Sequence, residues 1–117
     1  MLNEEQRAKV QKQIANLSDA YQQAKNVGYN VTTLALPGYE NQSDHDLYHP
    51  DDAGSDYRTE NEFSIEILKG LVASGVPARL ATVRYDDYLK WLNGRPNTSS
   101  NRSAYAGQLA AREERGR

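Results

Sequence analysis

The chain contains no cysteine, one phenylalanine, one tryptophan and one methionine among its 117 residues. Without a thiol there can be no disulfide framework, no thiolate metal site and no cysteine nucleophile. Large aliphatics are scarce as well: Leu, Ile, Val and Phe make up less than a fifth of the chain, below the level at which a strongly charged sequence stays disordered. The formal net charge of -2 is too small to drive that outcome. A single domain over residues 1–117 is therefore expected, with a thin core.

Other absences narrow the function. No run approaches the roughly 18 apolar residues of a membrane span. The opening MLNEEQRAKV is acidic where a secretory signal would be basic and then apolar. A cytoplasmic protein without membrane contact is expected. There is no GxGxxG, no GxSxG and no HExxH, and Gly70 and Gly75 are followed by Val76 rather than by the lysine of a phosphate loop. Dinucleotide, serine-hydrolase, zinc-protease and nucleotide-phosphate motifs are thus all missing.

What the chain does have is tyrosine, eight copies of it. Tyrosine buries a ring and keeps its hydroxyl wet, which suits half-buried interfaces, so a homodimer or a protein partner is expected to complete the fold. Charge is segregated too. Residues 1–30 are close to neutral, residues 31–66 set nine carboxylates against Arg58 alone, and residues 67–117 are basic. This pattern fits either mutual neutralisation within the fold or separate acidic and basic surfaces.

Asn3 with Gln6 forms a capping box, and Val10, Ile14, Leu17, Tyr21 and Ala24 recur at helical spacing. They predict a long N-terminal helix over 4–26 ended by Gly28. Asn30 to Leu36 is β-branched and reads as a strand closed by Pro37 and Gly38. Thr59 with Glu62 predicts a second helix with Phe63, Ile67, Leu68, Leu71 and Val72 on its apolar face, stopped by Gly75 and Pro77. A second strand is expected over Arg79 to Tyr85. Asp86 is expected to cap a short helix that buries Tyr88, Leu89, Trp91 and Leu92. A last helix runs from Asn101, its tail over 110–117 frayed. The fold class is α/β or α+β: a long N-terminal helix, a βαβ unit with two short parallel strands, and two C-terminal helices.

Between the first strand and the second helix lies the stretch 37–59, read as one long loop. It holds both histidines and the densest acids: Asp44, His45, Asp46, Tyr48, His49, Asp51, Asp52, Asp56, Tyr57 and Arg58. Loops of this length are usually functional, and in a parallel unit this one leaves the carboxyl end of a strand, where ligands collect. Asp86 and Asp87 follow the second strand to the same edge. Three functions fit. The leading one is a small binding or regulatory protein that meets a protein partner through this loop, with Tyr39, Tyr48 and Tyr57 as anchors and Asp44, Asp46, Asp51, Asp52 and Asp86 as charges. His45, His49 and Arg58 would orient a small ligand. In that reading no cofactor is required.

The first alternative is a metal-dependent hydrolase with zinc or manganese on His45, His49 and Asp52, since imidazole with carboxylate suits those ions. Pro50 argues against a helix that would align the two histidines, because the residue before proline is pushed out of helical angles. The second alternative is nucleic-acid binding through the basic C-terminal half, where Arg79, Arg84, Lys90, Arg95 and Arg102 alternate with Tyr85, Tyr88, Trp91 and Tyr105. The acidic pI of about 5.6 opposes it.

Overall fold

A computed structural model describes residues 2–29 and 33–115, with side chains through residue 112. The long N-terminal helix, α1, spans Glu4–Asn26. Its capping box is complete: Asn3 Oδ1 accepts from the Gln6 N–H and Gln6 Oε1 accepts from the Asn3 N–H, each at 2.8 Å. Gly28, at φ 90°, turns the chain away as expected, because positive φ suits glycine best.

Strand β1 is Leu34–Tyr39 and strand β2 is Ala78–Val83, paired in parallel from Leu34 opposite Ala78 to Tyr39 opposite Val83. The predicted start at Asn30, Val31 and Thr32 lies outside the described residues. The predicted end is corrected: β1 runs through Pro37 and Gly38. The reason is the side to which the backbone groups point. In a parallel strand each residue directs its N–H and C=O the same way, and the Leu34 N–H bonds Pro77 O at 2.9 Å. Residues 34, 36 and 38 therefore face β2, while 35, 37 and 39 face outward. Pro37 has no N–H to offer, and on an outer edge none is needed. Its carbonyl accepts from Ser64 Oγ at 2.9 Å, and the Asn61 amide takes both groups of Tyr39, Oδ1 from its N–H at 2.9 Å and Nδ2 to its carbonyl at 2.7 Å.

The crossover is the main departure from expectation. Residues 37–59 do not form one loop: they carry α2, Gln42–Tyr48, and a 3-10 turn, Pro50–Asp52, before α3, Tyr57–Ala73. Asn41 caps α2 by accepting from the Asp44 N–H at 2.8 Å. Helix α3 starts earlier than the Thr59 box suggests, because Asp56 caps it and the Gln42 side chain accepts the Tyr57 N–H at 3.2 Å. Val72, placed on its apolar face by spacing, is 58% exposed.

Helix α4 is Tyr85–Leu92 and α5 is Ser99–Arg115. Asp86 is not the cap of α4. Arg84 occupies that position without a side-chain bond, and the Tyr85 N–H is taken by Asp44 Oδ1 of α2 at 3.1 Å. Asp86 and Asp87 stand in the first turn, where they meet the positive end of the helix dipole. Leu89, expected inside, is 51% exposed. Of the tail predicted to fray, 110–115 continues α5 and 116–117 lie outside the described residues. No helix among the described residues is long and apolar enough to cross a membrane.

The two-stranded sheet separates two cores. On one face α1 and α3 supply an aliphatic cluster of Leu71, Val76, Leu36 and Tyr21 with Ile14, Leu17, Ile67 and Leu68 packed on it. The helices approach closely there: a methyl on Gly70 would overlap the Ile14 side chain, with Cγ1 2.8 Å away. On the other face α2, α4 and α5 enclose Tyr39, Tyr48, Val83, Tyr88, Leu92 and Tyr105. The scarce aliphatics are thus replaced by rings, packed edge to face or tilted at 4.7 to 6.0 Å. Tyr21, Tyr39, Tyr48, Tyr88 and Tyr105 fill the domain's own interior, so these five give no support to a homodimer.

Burial pushes the Tyr39 hydroxyl up to about 12, and burial likewise raises Tyr48, Tyr88 and Tyr105. A raised acid keeps its proton longer in the folded state, so its stabilisation is complete below the unfolded value of about 10 and is lost as pH climbs through the folded value. The expected result is constant stability up to about pH 10 and cooperative alkaline unfolding above it. Denaturant midpoints across that range check this, and a flat profile up to pH 12, the Tyr39 value, would contradict it.

Candidate functional site

The short helix α2 carries His45 into the interior, where it is 1% exposed and is the one buried polar residue among those described. Its ring stands edge-on to Tyr39 at 5.0 Å between centroids. Nδ1 lies 2.9 Å from Asp46 Oδ1. Asp46 also accepts from Gln42 Nε2 at 2.9 Å and from the Gly54 N–H at 3.0 Å. The His45 hydrogen bond, followed by those from Gly54 and Gln42, holds the Asp46 carboxyl below its ordinary value. Asp46 is therefore the acceptor of the His45–Asp46 contact and Nδ1 its donor. In the neutral tautomer that donates from Nδ1, the lone pair is on Nε2.

Nε2 points at Asp52 Oδ2, 3.7 Å away. That is too long for a hydrogen bond. His45, Asp52 and Glu60 each offer one ligand atom, and all of these atoms lie within 4.8 Å of one another. Two ligand atoms on a tetrahedral zinc ion stand about 3.4 Å apart, so small side-chain adjustments would close the set around one cation. The carboxylates are held differently. Asp52 accepts from Ser55 Oγ at 3.0 Å, and its side chain is 46% exposed. Glu60 stands in the first turn of α3, half-buried, and burial together with the neighbouring Asp52 charge raises its carboxyl above the ordinary value. Two anions held close with one partly out of water make a site that a cation relieves.

Comparison with protein families, with curated proteins and with solved structures finds no match to this chain. The functional reading therefore rests on the geometry of these side chains.

Of the residues singled out from sequence, His45, Asp46 and Asp52 come together. His49 does not join them in the ligand set. It is the residue after α2, at φ −123° and ψ 71°, displaced from helical angles by Pro50, and it lines a separate pocket with Tyr39, Tyr48 and Arg102. Where the sequence offers His45, His49 and Asp52, the structure brings ligand atoms of His45, Asp52 and Glu60 within 4.8 Å of one another. Tyr39 and Tyr48 are 8% and 2% exposed, which removes them as contact anchors. Tyr57 is half-buried against the aromatic core, and Arg58 lies over its ring, Nε donating to the Tyr57 hydroxyl at 3.3 Å. Asp51 is exposed in the 3-10 turn.

Asp44 and Asp86 form a second grouping. With Glu40, Asn41, Arg84, Asp87 and Lys90 they line a polar concavity of about 530 Å³ at the exits of both strands, the edge that the βαβ reading singled out. Arg84 bridges to Glu40 at 3.1 Å across it. Of the aromatics in the basic C-terminal half, Tyr88 and Tyr105 are in the core, Arg95 covers Trp91 at 4.1 Å, and Tyr85 is half-buried.

Glu60 was missed by sequence reasoning. It lies just beyond the 37–59 stretch, at the start of α3, and meets His45 and Asp52 only because α2 and the 3-10 turn fold beside that helix start, a tertiary placement with no local sequence signal.

Proposed function

We propose that this domain binds a divalent transition metal, zinc or manganese, through His45 Nε2, Asp52 and Glu60, and uses it to activate water for hydrolysis. The observation that carries the reading is the buried His45 ring, oriented by Asp46 so that its free nitrogen faces two carboxylates. A histidine whose other nitrogen donates to a carboxylate is the usual arrangement of a metal-ligating histidine. Three protein ligands of mixed nitrogen and oxygen type leave coordination positions for water, as catalytic sites do and structural sites do not. Asp52 and Glu60 are both partly exposed, so an ion held there would remain open to water.

Equilibrium dialysis tests the binding. The wild-type chain should retain one zinc or manganese ion, and the Asp52→Asn, Glu60→Gln double variant should retain none. The loaded wild type should also cleave an activated ester that the double variant leaves intact. Wild-type protein that emerges metal-free from dialysis would end the proposal.

A second reading is favoured by the polar concavity that joins Glu40, Asp44, Asp86 and Asp87. Four carboxylates converging at the exits of both strands would steer a basic protein partner, the role expected of the acidic segment from its charge alone.

A further inference from the structure

Between the outer half of β1 and the first turns of α5 lies a pocket of about 200 Å³ whose polar wall is made by Tyr39, Tyr48, His49, Ser99, Arg102 and Ser103. Among the described residues no aspartate or glutamate lines it, although the chain carries sixteen of them. The groups of its wall able to bear full charge are a guanidinium and an imidazole. Arg102 Nη1 is anchored on Asn97 Oδ1 at 3.0 Å, and its backbone carbonyl accepts from the Tyr48 hydroxyl at 2.9 Å. These contacts fix the arginine without neutralising it. Its charge acts on both hydroxyls of the wall, partly offsetting the upward push of burial on Tyr39 and Tyr48. His49 contributes the orphan: its Nδ1 is buried with no hydrogen-bond partner, a condition that native structures rarely tolerate unless a ligand or water completes it. Ser99 opens α5, so the positive end of a seventeen-residue helix faces the same space.

We propose that this pocket binds the oxyanion head of a small ligand, a phosphate or a carboxylate, gripped by Arg102 and hydrogen-bonded by His49, Ser99 and Ser103. The proposal goes beyond the metal centre and holds without it. Arginine presents two parallel N–H groups to such a head, which is why it recurs where planar anions are recognised. The volume admits the head group and few further atoms, and Ala35, Pro37 and Ala106 offer apolar surface to the ligand's stem. Tyr39 separates the pocket from the metal triad: the same ring that forms this wall stands edge-on to His45 at 5.0 Å.

Isothermal titration of the 117-residue chain with inorganic phosphate, and separately with acetate, at constant ionic strength tests this. One-to-one saturable binding is expected, and the tighter of the two anions names the head group. Arg102→Gln should weaken it by about tenfold or more, Ser103→Asp should abolish it, and Asp52→Asn should leave it unchanged, which separates this site from the metal centre. Ser103 is exposed on α5, so its variant is expected to fold and decides the matter if Arg102→Gln does not. Failure of both anions to saturate, or a Ser103→Asp variant that binds like wild type, would overturn the proposal.

Discussion

Replacing Tyr88 by alanine is expected to destabilise the domain by about 3 to 5 kcal/mol, the range for deleting a fully buried aromatic ring. Tyr88 is 0% exposed and meets Tyr48 at 4.7 Å, Tyr105 at 5.1 Å and Trp91 at 6.0 Å between ring centroids. With so few aliphatics nearby, the neighbours cannot slide in to close the gap. The hydroxyl matters separately: it donates to Asn97 Oδ1 at 2.7 Å, and Asn97 Nδ2 in turn donates to the Tyr48 carbonyl at 3.0 Å. Domains of this size are stable by only about 5 to 15 kcal/mol, so the alanine variant should sit near its unfolding threshold. Tyr88→Phe keeps the ring and loses one hydrogen bond, worth about 1 kcal/mol. Urea midpoints at unchanged denaturant slope measure both. Equal losses for the two variants would mean that the hydrogen-bonded turn, and not ring packing, holds this half of the fold.

Zinc at about a hundred times its dissociation constant should add about 2.7 kcal/mol to stability, which for a domain of this length raises the melting temperature by on the order of 10 °C. Glu60→Gln should erase that increment. The same variant should melt at or slightly above the temperature of the metal-free wild type. The sign follows from the raised Glu60 carboxyl: at neutral pH the folded state holds an anion in a place that disfavours it. An uncharged amide of the same shape removes the penalty and the ligand together. His45→Ala should also abolish the zinc effect, but it leaves Asp46 without its strongest hydrogen bond and is expected to lower the metal-free melting temperature. A Glu60→Gln protein that still gains stability from zinc would place the metal elsewhere.

The long elements were readable from the sequence because period and caps agreed in them. Asn3 with Gln6, the 4-3 spacing from Val10 to Tyr21, and Gly28 locate α1 to the residue. The two β-rich stretches flanking a helix implied the parallel pair. Helix α2 was hidden because its apolar residues, Leu47 and Tyr48, are adjacent and carry no helical period. Tyr48 is buried and Leu47 is 49% exposed. What builds α2 is polar: the Asn41 cap, and Gln42 reaching across to the Ser55 carbonyl at 2.6 Å and to Tyr57. Such long-range bonds have no local signature. The tyrosines were misjudged for a related reason. A phenol counts as half-polar until its partner is known, and here Arg102 and Asn97 satisfy two of the hydroxyls inside the fold. The candidate site was half legible: composition picked out His45, Asp46 and Asp52, while Glu60 joins them only through the folding of α2 beside the start of α3.

Asn61 has a wider effect than closing an edge. Its amide grips both backbone groups of Tyr39, and its neighbour in the chain is Glu60, so the backbone that carries an acid of the triad is tied to the end of the first strand by two hydrogen bonds and one peptide unit. That anchorage is made by the scaffold itself. A chelator should then strip an ion from this protein without collapsing it, unlike a zinc finger, whose chain orders only around its metal. Loading and unloading can then cycle on a standing frame, as an exchangeable centre requires.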